Sequence, residues 1–559
     1  MKKILLYSVL GLVAILIVIF ILLGRYTDRV IDPYVRSLLE NTKPMGHKIE
    51  YSNIRVNLLQ KDIILKQVRM FPDSALTEND LKFEINVKKV RLTGFSIREM
   101  LFDKTLTINE FLIEKPEVIV TLPLEAKEVI EDVKKEEPPK KSSQLLKKIM
   151  LSKITLEGGS FKLFRNDVML ASSPNITIYA NEINLEKNSK DEPIGFTYGD
   201  YTISLTTIDL HSESSLYEIT LGSFTASKND LTIVLNNLVV SPKYDKKEFS
   251  KKLDFQNDRF DLTIKEMAIT HTGLWKLLEN KPLEITMLRI DSLDADIYRD
   301  KNVTFNFNRF PTFYNESFRK IDIPLLIDTV MITNSRINYG ELVAGRPSAG
   351  NIRLENFELQ TYNLTTLVEE DTNVNVMHIY VQAKVMGEGN LNAELILPLE
   401  GKMHEFECSG SVGAMQLSPL NDMLEPSINM KFNAGKVNRM TFFFKADDNA
   451  SKGWMEFLYS DIDVVLLKKD PDKQWGFVSL LANTMTLSNN PAPGKDLKIV
   501  EIGYERDKNK GIINYVWKTI QSGMIHTILP IKKYQINRKS SEKEATKSAG
   551  QKEKKKQKK

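Results

Sequence analysis

Ile4 to Leu23 is a strongly apolar run of twenty residues without a charge, and no comparable run follows it. At about 1.5 Å per residue, a helix of that length matches a hydrocarbon core of roughly 30 Å. Cleaved signal peptides have shorter apolar regions, about 7–15 residues, and a small-residue cleavage site. Here Gly24-Arg25-Tyr26-Thr27-Asp28 follows instead. The pattern predicts an uncleaved anchor running from Ile4 through Leu12 to Leu23. Lys2 and Lys3 put its short leading tip in the cytoplasm, with the bulk of the chain beyond the membrane.

Past the anchor the period changes twice. Val30, Ile31, Tyr34, Val35, Leu38 and Leu39 recur at helical spacing across Asp28–Thr42, before Pro44 and Gly46 end the pattern. From there the period is two. Ile54, Val56 and Leu58 alternate with polar residues, then Ile63 and Leu65, then Leu81, Phe83, Ile85 and Val87, as half-buried strands do. Glu125 to Lys141 breaks the alternation with dense charge and Pro138-Pro139, which reads as an exposed linker. A short amphipathic helix is expected next, at Ser143–Met150. The chain thus divides into an anchor (1–24), an N-terminal β region (25–124), a linker (125–145), a central β region (146–400), a C-terminal region (401–531) and a basic tail (532–559).

The body repeats a loose unit of two apolar stretches joined by polar residues that read as a turn. Leu106 to Phe111 leads through Glu114-Lys115-Pro116 into Val118-Ile119-Val120, and Ile154-Thr155-Leu156 through Glu157-Gly158-Gly159 into Phe161-Lys162-Leu163. Leu288 to Leu293 leads past Asp294 into Ile297-Tyr298, and Val330-Met331-Ile332 through Thr333-Asn334-Ser335 into Ile337-Asn338-Tyr339. The longest meander is His378 to Asp463, with a helical interruption at Leu417–Leu424 closed by Pro426. One face of each strand is apolar and the other polar, which predicts a mainly β, antiparallel sheet with few short helices.

The apolar face has two possible uses: packing against a second sheet in a sandwich, or curling into an open trough that holds acyl chains. The persistence of the alternation, the few helices to cover it, and the Ala, Gly and Met mixed among its large residues favour the trough. Moving one CH₂ through water costs about 0.8 kcal/mol, so a continuous apolar path removes most of the barrier to lipid transfer. The expected lining is Ile379, Val381, Val385, Leu395, Phe406, Phe432, Phe442, Phe444 and Phe457.

Charge and chemistry narrow the function classes. The segment Arg538–Lys559 carries a local +7, which leaves −3 for the rest of a chain whose total is +4. The body is therefore not a basic nucleic-acid surface, and the tail reads as disordered. Cys408 is the single cysteine, so no intramolecular disulfide forms. The six histidines stand singly, and there is no G-x-S-x-G, G-x-x-x-x-G-K-[ST], H-E-x-x-H or C-x-x-C motif. Asp461 and Asp463 share a strand face and read as solvated. No enzyme activity, metal or cofactor is expected.

The C-terminal third resembles the AsmA family of Gram-negative envelope proteins. The resemblance is carried by Val412-Gly413-Ala414-Met415, Leu417-Ser418-Pro419-Leu420-Asn421, Leu424-Glu425-Pro426, Gly435-Lys436-Val437 and Gly453 to Val464. It continues through Leu480 to Asn483, Asn490-Pro491, Glu501 to Asp507, and Ile513 to Lys518 with Gly523, about 110 residues in all. The anchor and the strands around Ile54–Val68 are similar to the family's start. The resemblance implies an elongated, curled β-sheet with an apolar interior, as in chorein-type lipid-transfer proteins. It implies an inner-membrane, periplasm-facing protein that shelters or transfers phospholipid between inner and outer membranes, or supports outer-membrane assembly. It carries over no catalytic residue. The rival expectation is a non-enzymatic envelope scaffold that binds outer-membrane assembly partners.

Overall fold

A computed structural model describes residues 46–122, 148–186, 195–210, 216–271, 282–366, 376–399, 404–467, 487–529 and 535–536, apart from a few positions within these ranges. The expected anchor, the helix at Asp28–Thr42, the linker and the basic tail lie outside the described residues, except Gln535–Ile536, which pair as a short strand with Ile499–Val500 although the tail is expected to be disordered. Among the described residues, no helix is long and apolar enough to cross a membrane. The fold is mainly β, with few and mostly short helices. Two compact units divide at Asn237/Leu238, inside the segment that the sequence pattern treats as one central region.

In the first unit, β1 (His47–Glu50), β2 (Asn53–Asn57), β3 (Asp62–Pro72) and β4 (Lys82–Thr93) pair antiparallel, with β3 receiving the other three. Tyr51, Ile54, Val56 and Phe95 form a small buried cluster there. β5 (Thr105–Ile108), β6 (Glu110–Glu114) and β7 (Glu117–Leu122) each pair parallel with β8 (Lys148–Arg165). β9 (Val168–Glu186) pairs antiparallel with β8, with β10 (Gly195–Thr197) and with β11 (Tyr201–Leu210), and β12 (Tyr217–Ser227) follows on β11. The unit boundary falls within β13 (Thr232–Pro242).

The second unit begins with helix α1 (Lys246–Lys251) and the antiparallel pair β14 (Asp258–His271) and β15 (Leu283–Asp300). β15 runs parallel to β16 (Leu325–Leu342). Their connection carries helix α2 (Tyr314–Arg319). An antiparallel succession follows: β17 (Gly350–Thr365), β18 (Val376–Val385), β19 (Gly389–Pro398) and β20 (Phe406–Val412). After β21 (Met415–Gln416) and helix α3 (Asn421–Ile428) come β22 (Met430–Ala446), β23 (Ala450–Leu466) and β24 (Ile499–Glu505), then helix α4 (Ile512–Ile528) and β25 (Gln535–Ile536). Helix α3 packs against both β17 and β22, which three other strands separate in the pairing order.

Three sequence expectations are corrected. The sheet is mixed, not purely antiparallel. A parallel pair needs a crossover of a dozen or more residues, and the segments joining β7 to β8 and β15 to β16 supply it. Lys148–Met150 opens strand β8 instead of ending a helix. Pro426 does not close α3, which continues to Ile428 and ends at Asn429 in a left-handed conformation, φ 53°.

The repeated unit is also not a pair of strands around a turn. In β8, β15 and β16 both apolar stretches belong to one long strand. The polar residues between them hold a single left-handed position: Gly158 at φ 64°, Ser292 at φ 56° and Asn334 at φ 52°. Lys115, at φ 48°, does the same between β6 and β7, which both pair with β4 and β8. Each is a bulge-like break in the pleat that the neighbouring strand shares, so pairing resumes in the same register beyond it, as Glu266–Asp291 and Ile264–Leu293 do. The left-handed residue shifts the apolar alternation by one, from Leu288 and Ile290 to Leu293, Ala295 and Ile297, and β14 shifts with it, from Ile269 and Met267 to Ile264 and Leu262.

Candidate functional site

The bulges of β15, β16 and β17 lie side by side. Pairing skips from Asp291–Thr333 to Asp294–Arg336, and the β16–β17 and β17–β18 registers shift around Ser335 and Asn356. Ser292, Asn334 and Asn356 are the left-handed residues of the row. Ser335 is 3% exposed. Its hydroxyl accepts the Leu293 amide at 3.0 Å and donates to the Thr333 carbonyl at 2.7 Å, replacing ladder bonds that the bulge removes. Asp291 accepts from Asn334 Nδ2 at 2.7 Å and from Ser292 and Thr333 hydroxyls at 2.9 Å. These bonds, Asn334's first, hold its carboxyl below the usual range. The bulge row thus has an ordered polar network on one side.

The apolar rows continue strand after strand. Directly opposed residues share a face, and one row runs Ile269, Leu288, Val330, Thr361, Ile379, Leu395, Cys408 and Phe444. The next runs Met267, Ile290, Ile332, Leu359, Val381, Ala393, Gly410 and Phe442. Exposure changes along these rows. The apolar side chains from β14 to β18 are half-buried: Met267, Leu288, Ile290, Val330, Ile332, Leu359, Ile379 and Val381. Thr361, also in the first row, is buried. From β19 onward the large side chains close up, with Leu395 at 8%, Cys408 at 1%, Phe442 at 2% and Phe444 at 0% exposed, while the small Ala393 and Gly410 are half-buried.

The closure has a physical cause. Helix α4 packs on β23 and β24. It buries Ile512, Tyr515, Thr519, Gly523, Thr527 and Ile528, a stripe with helical spacing. A Cβ at Gly523 would lie 2.5 Å from Ile502 and 2.7 Å from the Met455 sulfur, so glycine permits this approach. Lys498 Nζ donates to the carbonyls of His526, Thr527 and Leu529, a cation at the helix C-terminus. Phe313, from the β15–β16 connection, meets the Phe406 ring edge-on at 5.3 Å, and Tyr515 meets it at 5.8 Å.

Leu395, Phe406, Phe432, Phe442, Phe444 and Phe457 therefore belong to one buried cluster, filled by α4 and Phe313. Ile379 and Val385 are partly buried against it, and Val381 is half-buried beside them. The sequence pattern assigns these residues to an open lining, but their β19–β24 members are buried in a core that α4, seated on β23 and β24, and Phe313 share. Burial pushes the Cys408 thiol up to about 12. The half-buried set on β14 to β17 was absent from the expected lining. Its signal was present, as the parity shift from Ile290 to Leu293 marks a bulge in place of a turn.

No known family model matches the chain, and no curated protein matches it.

Proposed function

We propose that the protein shelters phospholipid acyl chains on the apolar face of β14–β18. In this reading it is a membrane-anchored periplasmic protein of the AsmA kind, supporting transfer between inner and outer membranes. The observation that carries the reading is the change in exposure along continuous apolar rows. Leu288, Ile290, Val330 and Ile332 are half-buried, whereas Cys408, Phe442 and Phe444 in the same rows are buried. A face bulged in register bends as a unit, and α3 packing against both β17 and β22 supports a curl. Contiguous apolar surface of this kind marks an interaction site. Binding there is non-directional burial of CH₂ groups, and it needs no residue to do chemistry.

A photo-crosslinking amino acid at Ile332 tests this in cells. The reading predicts a phospholipid adduct on Ile332 and none when the same residue replaces Gln382, whose position on β18 belongs to the polar alternation. Adducts at neither position, or equally at both, would remove the support for an acyl-chain site.

A further inference from the structure

A second surface of the same unit carries a different chemistry. The connection between β15 and β16 and the turn before α4 are tied together. Asn509 Nδ2 donates to the carbonyls of Phe307 at 2.7 Å and Arg309 at 3.0 Å. Lys510 Nζ lies 3.5 Å from the Phe305 ring centroid, and Phe305 meets Phe307 edge-on at 4.9 Å. Arg506 donates to the Pro311 carbonyl and stacks 4.1 Å over Phe313. The two segments therefore form one fixed surface.

That surface is apolar and exposed. Phe307 is 71%, Phe310 66%, Ile513 64% and Trp517 46% exposed. Ile513 and Trp517 lie one turn apart on α4, away from the buried stripe of Ile512, Tyr515 and Thr519. Single exposed apolar residues need no explanation. Here they gather on two segments bonded to each other, and the core already has its own aromatics.

The surface is also cationic. Residues 301–320 hold Lys301, Arg309, Arg319 and Lys320 against Glu316, and residues 506–518 hold Arg506, Lys508, Lys510 and Lys518 against Asp507. Lys301 pairs with Glu341 at 2.6 Å and the buried Arg506 pairs with Asp448, but Lys510 and Lys518 have no carboxylate within ion-pair distance among the described residues. Both amines lie below the usual lysine range, first through burial and then through the charge of Lys301. An anionic group brought to this spot would relieve that repulsion.

Exposed aromatic side chains beside two lysines that no carboxylate pairs match the boundary between headgroups and acyl chains. We infer that the face formed by Phe307, Phe310, Ile513 and Trp517 with Lys510 and Lys518 docks onto an anionic phospholipid bilayer. The aromatics enter the acyl boundary and the lysines meet headgroup phosphates. This holds whether or not the sheet face carries lipid.

The test uses the full-length protein held in phosphatidylcholine nanodiscs on a surface, which occupies any membrane anchor. The readout is capture of fluorescent vesicles, either pure phosphatidylcholine or roughly one-third phosphatidylglycerol. The wild type should capture the anionic vesicles, and F307D/F310D and K510E/K518E should each capture about tenfold less. Both pairs are replaced at or near the surface, and an unchanged circular dichroism spectrum checks the fold. A fluorophore on Phe310→Cys should blue-shift on the anionic vesicles, since native Cys408 is buried. Capture without dequenching of a transferred lipid dye leaves docking intact and removes transfer. Equal capture by wild type and both variants, or equal capture of the two vesicle types, overturns the inference. So does a wild-type dimer that F307D/F310D dissolves with no change in capture, which would assign the face to self-association.

Discussion

Asn334 stands at φ 52° in the middle of an eighteen-residue strand, and the next residue, Ser335, is almost fully buried. Asn tolerates the left-handed region better than most residues, and Ser carries a hydroxyl that can replace a lost ladder bond. Together they make a break in the pleat that is conformationally cheap and in which Ser335 satisfies the Leu293 amide and the Thr333 carbonyl. Ser335→Ala would strand the Leu293 amide and the Thr333 carbonyl without their partner. It should destabilise the second unit by about 1–3 kcal/mol in urea unfolding. Asn334→Val should add a left-handed penalty of about 1–2 kcal/mol that Asn334→Gly avoids, although both lose the bond to Asp291. A Ser335→Ala variant as stable as the wild type would show that the hydroxyl does not hold the bulge.

Helix α4 decides which part of the apolar face is closed. Its sequence reads as amphipathic, but only its contact with β23 and β24 shows that the apolar stripe covers Met455 and Ile502. Gly523→Leu would drive a side chain into both, and overpacking of this kind costs about 1–3 kcal/mol. The expected result is a lower unfolding midpoint, with Gly523→Ala falling between. Equal midpoints for all three would mean that the helix does not seat as closely as described. Strand content and the polar-outside, apolar-inside alternation were legible in the sequence because period two is a local signal. The bulges were partly legible: Ile290 to Leu293 and Ile332 to Ile337 break parity, but the same Thr333-Asn334-Ser335 also suits a turn. Parallel pairing of β15 with β16, and the burial of Phe406 and Phe444 beneath α4 and Phe313, were not legible. They depend on contacts between residues far apart in the chain, from Leu288–Val330 to Phe406–Tyr515, which no window of alternation contains.

For the second unit as a whole, one apolar face serves two purposes. Over β19–β24 it is a closed core that holds the unit together, and over β14–β18 it is left half-covered. Cys408 reports on the closed part. Its buried thiol, raised to about 12, should resist maleimide near neutral pH in the native state and react fully in denaturant. Rapid native labelling would show that the space over β20 opens to solvent, and that α4 is a movable cover. The open part is where the functional account stands.

The most direct measurement is lipid content by mass spectrometry on full-length protein purified with minimal detergent. The comparison is wild type against I290D/I332D, with L395D as the closed-core control. The account predicts phospholipid on the wild type near one per chain or more. I290D/I332D should stay folded but lose about nine-tenths of it, because half-buried positions tolerate charge that a core does not. L395D should fail by unfolding. A folded I290D/I332D variant that retains its phospholipid, or a wild type that carries none, would contradict the account.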